Sequence, residues 1–287
     1  MDENKKTSCK RSITSLQKMK ERGEKIAMIT CYDSTFARLV DQAGVDCILV
    51  GDSMGNTMLG YDTTLPVDIE DIIRSASAVM RTTPDAFVIA DLPFMSYHLS
   101  ALEAAQNAGR IIKETGAQAV KLEGGAGFTD VIKAIVHAQI LCVAHLGLTP
   151  QSVNVFGGFK VQAKTKDAAK VLLDDARAVE EAGACMLVLE GVPAEVAGEV
   201  TAALSIPVIG IGAGANVDGQ VLVLQDMLGM NDQVPKFVKE YADLKSTVVN
   251  SIKDYCRDVR SLEFPAEKHT FKMSTESVSS SPAEVEG

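Results

Sequence analysis

Short runs of apolar residues alternate with longer segments of helical periodicity between about Lys25 and Met230. The runs are continuously apolar rather than alternating with polar residues, as expected for parallel strands that are buried on both faces. They predict strands at Ile26–Thr30, Cys47–Val50, Phe87–Ala90, Ala119–Leu122, Leu141–Ala144, Met186–Leu189 and Pro207–Ile211. The sequence does not clearly predict an eighth strand, because Val221–Leu224 fits either a strand or a short helix.

Helical patterns fill the gaps between these strands. They predict helices at Ser34–Gln42, Ile69–Arg81, Ala101–Glu114, Thr129–His137, Asp167–Ala182 and Ala194–Ala203. Three of the links from a helix to a strand contain a glycine that can end the helix, at Gly44, Gly116 and Gly183. Such uninterrupted β-α units predict an α/β fold, and favour a closed (β/α)8 TIM-type barrel over an open doubly wound sheet.

The segments outside the barrel have a different composition. We predict an N-terminal helical arm over residues 1–24, the barrel over 25–230, a C-terminal helical extension over 231–272 and a disordered tail over 273–287. The arm is expected to pack against one end of the barrel as a helix within Thr7–Arg22. Pro235–Arg260 fits one or two amphipathic helices, whereas the tail is rich in Ser, Glu and Pro.

Charge and cysteine usage narrow the class of protein. The net charge of −10 argues against a nucleic acid or an anionic membrane surface as a partner. No apolar run approaches the roughly 18 residues that a membrane-spanning helix needs, and no secretory signal is expected from the first residues. The six cysteines contain no C-x-x-C pair, so we expect free thiols in a reducing cytoplasm rather than disulfides or a thiolate zinc site.

Acidic residues follow several predicted strands, at the end of the barrel where this fold carries out catalysis. The polar residues at the strand ends are Asp33, Asp52, Asp91, Glu123, His145 and Glu190. Carboxylates that converge at one rim repel each other unless a cation lies between them, and an all-oxygen ligand set favours Mg²⁺ over Mn²⁺ or Ca²⁺. Each acid alone could instead cap a helix, and for Asp33 the two interpretations stay open.

One further residue, Lys121, joins the candidate site, and two of the residues already named have more specific expected roles. Lys121 shares a strand face with Glu123, so it is expected to point into the barrel rather than pair with an acid on an outer helix. Glu190 ends an apolar strand and is a candidate general base, or alternatively an ion-pair partner. His145 is expected to contact the substrate or to support a residue that does.

A glycine-rich segment, Gly210-Ile211-Gly212-Ala213-Gly214-Ala215, fits the letters of the dinucleotide-binding pattern. That pattern belongs to the first β-α-β unit, whereas this segment follows the penultimate strand with little chain remaining. We therefore predict that it brings the backbone close to a ligand at the barrel mouth.

Several segments, in order along the chain, carry a family pattern. They are LVGDSMG from Leu49, TLPV from Thr64, ADLPFM from Ala90, VKLEGG from Val120, HLGLTPQS from His145, FGG from Phe156, LVLE from Leu187 and PVIGIGAG from Pro207. With them the chain resembles the ketopantoate hydroxymethyltransferase family from about Thr14 to Phe271. Tyr61 and Gly191 depart from the His and Cys of some relatives, at positions without a chemical role that we can name.

The resemblance implies a reaction and its residues. A protein of this family would transfer a hydroxymethyl group from the co-substrate 5,10-methylenetetrahydrofolate to 3-methyl-2-oxobutanoate. The reaction would pass through a Mg²⁺-stabilised enolate and give 2-dehydropantoate for pantothenate biosynthesis. Glu190 matches the family's base. The acids matching its metal site are Asp52, Asp91 and Glu123, and the residues matching its 2-oxo acid contacts are Asp52, Ser53, Asp91 and Lys121. The family forms ring-like homo-oligomers, commonly decamers. The apolar stripe of Pro235–Arg260 also needs burial, so residues after Pro235 are expected to contact another subunit; alternatively, these helices close the bottom of the chain's own barrel.

Two other functions fit parts of the pattern. A 2-oxo acid lyase or aldolase on the same barrel would use a metal and a base without folate. A non-catalytic barrel that binds a ligand or forms an assembly would need none of the acids at the mouth, which argues against it.

Overall fold

The computed structural model describes residues 10–83 and 85–273, and in it eight parallel strands close into a barrel. The strands are β1 Ile26–Thr30, β2 Cys47–Val50, β3 Phe87–Asp91, β4 Ala119–Glu123, β5 Leu141–Gly147, β6 Met186–Glu190, β7 Val208–Ile211 and β8 Gly219–Leu222. Each strand pairs with its neighbours in sequence, and β1 pairs with β8 to complete the ring. The predicted α/β barrel is therefore confirmed.

Helices surround the barrel and connect its strands. They are α1 Ile13–Glu21, α2 Ser34–Gln42, α3 Met54–Thr57, α4 Ile69–Met80, α5 Ala101–Thr115, α6 Thr129–His137, α7 Val153–Phe156, α8 Lys166–Glu181, α9 Ala194–Ala203, α10 Leu224–Met227 and α11 Leu244–Ser261. Short 3₁₀ turns lie at Ala126–Phe128, Pro150–Ser152 and Glu267–His269. The apolar faces of the helices between the strands pack on the outside of the barrel and form the larger hydrophobic core.

Four strands run further toward the mouth than their apolar runs predict. Asp91, Glu123 and Glu190 are each the last residue of a strand, and β5 continues past His145. Glu123 is in register with His145, and Asp91 with Lys121 on the next strand. These polar residues therefore belong to the strand ladder rather than to loops, which fixes the positions from which their side chains extend.

The opposite end of the barrel is closed by α1. Leu16 and Met19 of this helix are buried against residues from the first halves of the strands. That cluster includes Ile26, Met28, Cys47, Phe87, Ala119 and Met186. Since apolar side chains fill this end, the space for chemistry lies at the other rim.

The C-terminal extension contains one long helix, α11, which begins later than the apolar pattern predicts. Phe237 and Tyr241 lie before it in a segment without a helix, where the Tyr241 N–H donates to the Met227 carbonyl at 2.7 Å. The Phe237 ring packs against Gly212 after β7. This segment is tied to the barrel, whereas no residue of α11 itself is buried.

Four remaining predictions concern membrane-spanning helices, the cysteines, the cellular location and the C-terminal tail. No helix within the described residues is long and apolar enough to cross a membrane. The five cysteines in the described part are free thiols, and Cys9 lies outside it. The cytoplasmic location stays a prediction, and the predicted disordered tail lies outside the described residues apart from Met273.

Candidate active site

The barrel mouth gathers charged residues from the ends of β2 to β6. Glu190 is the most open of them, with 15% of its side chain exposed. The others are at most 4% exposed, and they are Asp52, Asp91, Lys121, Glu123 and His145. Burying this many charges is unfavourable unless they are paired, and such clusters are typical of functional sites.

Asp52 and Asp91 lie side by side at the ends of β2 and β3. The Asp52 N–H donates to Asp91 Oδ2 at 3.1 Å, and the side-chain amide of Gln151 donates to Asp52 Oδ2 at 2.8 Å. Burial, followed by the charges of Asp91 and Glu123, raises the pKa of Asp52 well above its usual value. Burial also raises the pKa of Asp91, against the opposing effect of Lys121. A cation bound next to the Asp52 and Asp91 carboxylates would therefore stabilise their negative charges.

The ammonium group of Lys121 lies between two carboxylates. Its Nζ is 3.1 Å from Asp91 Oδ1 and 4.0 Å from Glu123 Oε1. Burial acts to lower the pKa of Lys121, but the surrounding acids outweigh it and raise the pKa. Lys121 is therefore charged, and it holds positive charge next to any anion that binds at the mouth.

His145 connects Glu123 to Glu190. Its Nδ1 is 3.3 Å from Glu123 Oε1, and its Nε2 is 3.3 Å from Glu190 Oε2. Burial and the charge of Lys121 act to lower the pKa of His145, but the two glutamates raise it to about 9. Burial likewise acts to raise the pKa of Glu123, which His145 and Lys121 nevertheless lower. The imidazole thus carries positive charge next to both glutamates at neutral pH, although its Nε2 has no aligned hydrogen-bond acceptor among the described residues.

The acids at the mouth fit a hard divalent cation. Asp52, Asp91 and Glu123 offer only carboxylate oxygens, and Asp91 Oδ1 has no aligned hydrogen-bond donor among the described residues. Within the same residues, no three His, Cys, Asp or Glu side chains already form a coordination cluster. Mg²⁺ is typically bound by one or two carboxylates, while substrate and water oxygens fill its other positions. Two adjacent acids match that mode better than a preformed cage does.

Ser53 lies next to these acids, at the start of α3. Its hydroxyl is 2.8 Å from the hydroxyl of Tyr32, whose pKa is raised by burial to about 12. Tyr32 therefore stays protonated and can orient Ser53 by hydrogen bonding. Ser53 is partly exposed, so its hydroxyl is accessible to a substrate at the mouth.

Asp33 is a helix cap. Its Oδ1 accepts the backbone N–H groups of Thr35 at 2.8 Å and Phe36 at 3.0 Å, in the first turn of α2. Of the two interpretations left open by the sequence, the structure supports the cap.

The glycine-rich segment after β7 makes its close approach to the chain itself. Gly212 has a φ of +61°, and a Cβ there would lie 2.7 Å from the Phe237 ring. A Cβ on Gly214 would lie 2.4 Å from the Cβ of Ala194. The predicted close approach is therefore present, but its partners are the C-terminal segment and α9 rather than a ligand.

Sequence patterns do not single out Gln151 and Tyr97, although both are buried in the site. Gln151 contacts Asp52, and its Oε1 accepts a hydrogen bond from the Tyr97 hydroxyl at 2.7 Å. Neither residue carries a charge or ends a strand. The only signal for Gln151 is its place in the family-like segment that begins at His145, and Tyr97 has none.

Known proteins resemble the chain in sequence. A model of the ketopantoate hydroxymethyltransferase family matches residues 10–267. The chain is 54% identical over 265 residues to the 3-methyl-2-oxobutanoate hydroxymethyltransferase of Clostridium novyi (strain NT). These aligned residues are 92% of this chain and 96% of that protein. It is 54% identical over 259 residues to the protein of the same name from Geobacillus kaustophilus (strain HTA426), with coverage of 90% and 93%.

Solved structures resemble the chain in fold. Phosphonopyruvate hydrolase is 13% identical in sequence and superposes with a TM-score of 0.58. The superposition covers 90% of this chain and 92% of the hydrolase chain. A 2,3-dimethylmalate lyase of the PEP mutase/isocitrate lyase superfamily is 17% identical with a TM-score of 0.56, and the coverages are 90% and 91%. At these identities the likeness shows the barrel fold alone.

Proposed function

The chain belongs to the ketopantoate hydroxymethyltransferase family, and from this premise we propose that it transfers a hydroxymethyl group from 5,10-methylenetetrahydrofolate to 3-methyl-2-oxobutanoate with Mg²⁺ as cofactor. The relatives' names supply the 2-oxo acid and the transferred group. The folate donor, the cation and the residue roles are our proposal. The balanced reaction consumes one water and yields 2-dehydropantoate and tetrahydrofolate.

A continuous series of charge contacts across the mouth carries the proposal. It runs from Glu190 through His145 to Glu123, and from there through Lys121 to Asp91. One end offers a partly exposed carboxylate for proton removal, and the other offers paired acids for a cation. An enzyme that deprotonates carbon next to a carbonyl needs both functions within reach of one small substrate.

The residues have separate roles in this reaction. A bound Mg²⁺ supplies Lewis acidity at the 2-oxo group. Asp52 and Asp91 would hold the cation with the support of Glu123, while Ser53 and Lys121 contact the 2-oxo acid. The positive charge of His145 would stabilise the Glu190 carboxylate, and His145 would also contact the substrate. The placement of these side chains at one rim supports the proposed assignments.

Proton removal precedes bond formation. Glu190 takes the proton from C3 of the 2-oxo acid, and Lys121 stabilises the negative charge that develops on its oxygens. C3 then forms a bond to the methylene carbon of the folate. That carbon leaves both folate nitrogens, which take up the C3 proton from Glu190 and one proton of water, and it receives the remaining hydroxide of that water as its hydroxyl group.

Product formation tests the proposed function directly. We expect 2-dehydropantoate to form only when the 2-oxo acid, 5,10-methylenetetrahydrofolate and a divalent cation are all present, and chelation by EDTA to stop it. Mass spectrometry with a ¹³C-labelled methylene donor would place the label in the product. Folate-independent cleavage of 2-hydroxy or 2-oxo acids by the same preparation, without labelled product, would instead support the lyase.

We also propose that the chain forms a homo-oligomer larger than a dimer, with a decamer as the expectation. The apolar side chains of α11 recur at helical spacing and are 41–57% exposed: Val248, Ile252, Tyr255 and Val259. An apolar stripe of this length is stabilised when another subunit covers it.

A charge placed on this stripe is expected to break the assembly. In sedimentation velocity, the parent should run above dimer size at micromolar concentration and Ile252→Lys should run as smaller species. Asn250→Lys is the matched control, because Asn250 is exposed on another face of the same helix. A parent protein that sediments as a monomer would contradict the proposal.

A further inference from the structure

Gln151 is a buried neutral residue among the charges of the mouth, and it is 5% exposed. Its Nε2 donates to Asp52 Oδ2 at 2.8 Å and to the Leu92 carbonyl at 3.1 Å. Its Oε1 accepts from the Tyr97 hydroxyl at 2.7 Å. Both amide protons and the amide oxygen are therefore engaged. A flipped amide would set its oxygen against two acceptors, so one orientation is fixed.

The backbone of Gln151 contacts a second acid. Its N–H donates to Glu123 Oε2 at 2.9 Å, and the Glu123 N–H in turn donates to the Tyr97 hydroxyl at 3.2 Å. Gln151 lies in the 3₁₀ turn Pro150–Ser152, where the proline ring restricts the backbone just before it. One residue after β5 thus contacts acids from the loop after β2 and the end of β4.

A neutral donor suits this position for an electrostatic reason. Lys121 already supplies positive charge to Asp91 and Glu123. A second cationic side chain on Asp52 would compete with a metal ion for the same carboxylate. An amide instead engages one oxygen and turns the carboxylate plane, so that Oδ1 remains for a cation. Donors behind a metal ligand fix its orientation in this way.

We propose that Gln151 is a positioning residue that orients Asp52 and Glu123 toward a divalent cation, with Tyr97 holding its amide in place. The proposal rests on the proposed function for the presence of a cation site. Gln151 acts through the two acids and not on the substrate, so its loss should weaken cation binding while sparing the chemistry at Glu190.

The experiment measures Mn²⁺ binding to the substrate-free protein by electron paramagnetic resonance, in which free Mn²⁺ gives the signal. Gln151→Met removes the amide, and Tyr97→Phe removes the hydroxyl that fixes this amide and also accepts the Glu123 N–H. Gln118→Met is the matched control. Gln118 is a partly buried glutamine whose oxygen accepts the Val88 N–H at 2.8 Å near the start of β3, away from the mouth.

We expect Gln151→Met to weaken Mn²⁺ binding by about 10- to 100-fold, the usual cost of losing a partner behind a metal ligand. Tyr97→Phe should weaken it less, in the same direction. The KM for Mg²⁺ should rise with the Kd, while kcat at saturating Mg²⁺ stays near the parent value. Gln118→Met should lower the melting temperature and leave the Kd unchanged.

Equal Mn²⁺ affinity in the parent and a folded Gln151→Met variant would overturn the proposal. If that variant does not fold, Tyr97→Phe decides, and an unchanged Kd has the same meaning. A parent that binds no Mn²⁺ overturns both the proposed metal site and the role of Gln151. A parent that binds Mn²⁺ but forms no folate-dependent product contradicts the proposed function alone, because the comparison of Kd values still decides the role of Gln151.

Discussion

Replacement of Glu190 by glutamine is expected to lower product formation by about 10²- to 10⁴-fold, the contribution of a positioned general base. Glutamine keeps the size of the side chain and can still contact His145, but it cannot take up the C3 proton. Exchange of that proton with deuterated water, followed by NMR without folate, measures proton removal apart from the transfer step. The exchange should be lost in Glu190→Gln.

A control on the same β-α unit separates this effect from a general loss of charge. Glu195 lies in the first turn of α9 and is exposed, so Glu195→Gln should exchange at the parent rate. Calorimetric titration should show that Glu190→Gln still binds the 2-oxo acid. If Glu190→Gln exchanges the C3 proton as fast as the parent does, another group is the base.

The second large effect is expected from Asp91→Asn. Asp91 receives the Asp52 N–H and faces Lys121, so this change removes a charge from the centre of the proposed cation site. Cation affinity should fall by more than the roughly 10- to 100-fold typical of partners behind a ligand. Activity at a fixed Mg²⁺ concentration should fall with it, and Mn²⁺ titration of the variant measures the change.

Asparagine is preferred to alanine here because its amide oxygen can still accept a hydrogen bond from the buried Lys121 ammonium, whereas alanine would leave that ammonium without a polar group at this position, which destabilises the fold. Asp46→Asn is the matched control. Asp46 is also buried and pairs with Arg11 at 2.7 Å, but it lies at the other end of the barrel, before β2. The Asp46→Asn variant should be less stable than the parent but should bind the cation with the same affinity. Magnesium dependence that is the same in Asp91→Asn and the parent would rule out the assigned ligand.

Burial on both faces explains why most of the barrel could be predicted. The core of each strand is an unbroken apolar run, which few other structures produce. The ends were missed because Asp91 and Glu123 are polar and yet pair within the ladder. The eighth strand was ambiguous because it begins at Gly219, whose Cβ would lie 2.3 Å from the Ile26 carbonyl oxygen. Glycine is required by this close approach, but it weakens a strand pattern.

The start of α11 was mispredicted for a tertiary reason. Phe237 and Tyr241 continue the apolar stripe, but one packs on Gly212 and the other is held by the Met227 carbonyl. These contacts favour an extended path over a helix, and periodicity contains no information about them. The tertiary contacts of Phe237 and Tyr241 therefore outweigh the helical preference of the local sequence.

Some residues of the candidate site could be predicted from the strand pattern, and others could not. Parallel strands bring all their carboxyl ends to one rim, so the convergence of Asp52, Asp91 and Glu123 follows from the fold class and strand positions. Gln151 reaches this rim through a 3₁₀ turn, and Tyr97 through the loop after β3. No periodicity governs such irregular segments, and their hydrogen bonds become visible only in the folded chain.

The pairing of β1 with β8 has a consequence for synthesis of the chain on the ribosome. Each strand, β1 included, pairs with the next strand one unit later, whereas the other edge of β1 must wait for β8, in which Gly219 pairs with Ile26 from on the order of 200 residues further on. At about 5–20 residues per second this delay lasts on the order of 10–40 seconds. During it, β1 presents an open edge to other nascent chains. The last part of the barrel to be made therefore decides when the first part is protected from aggregation.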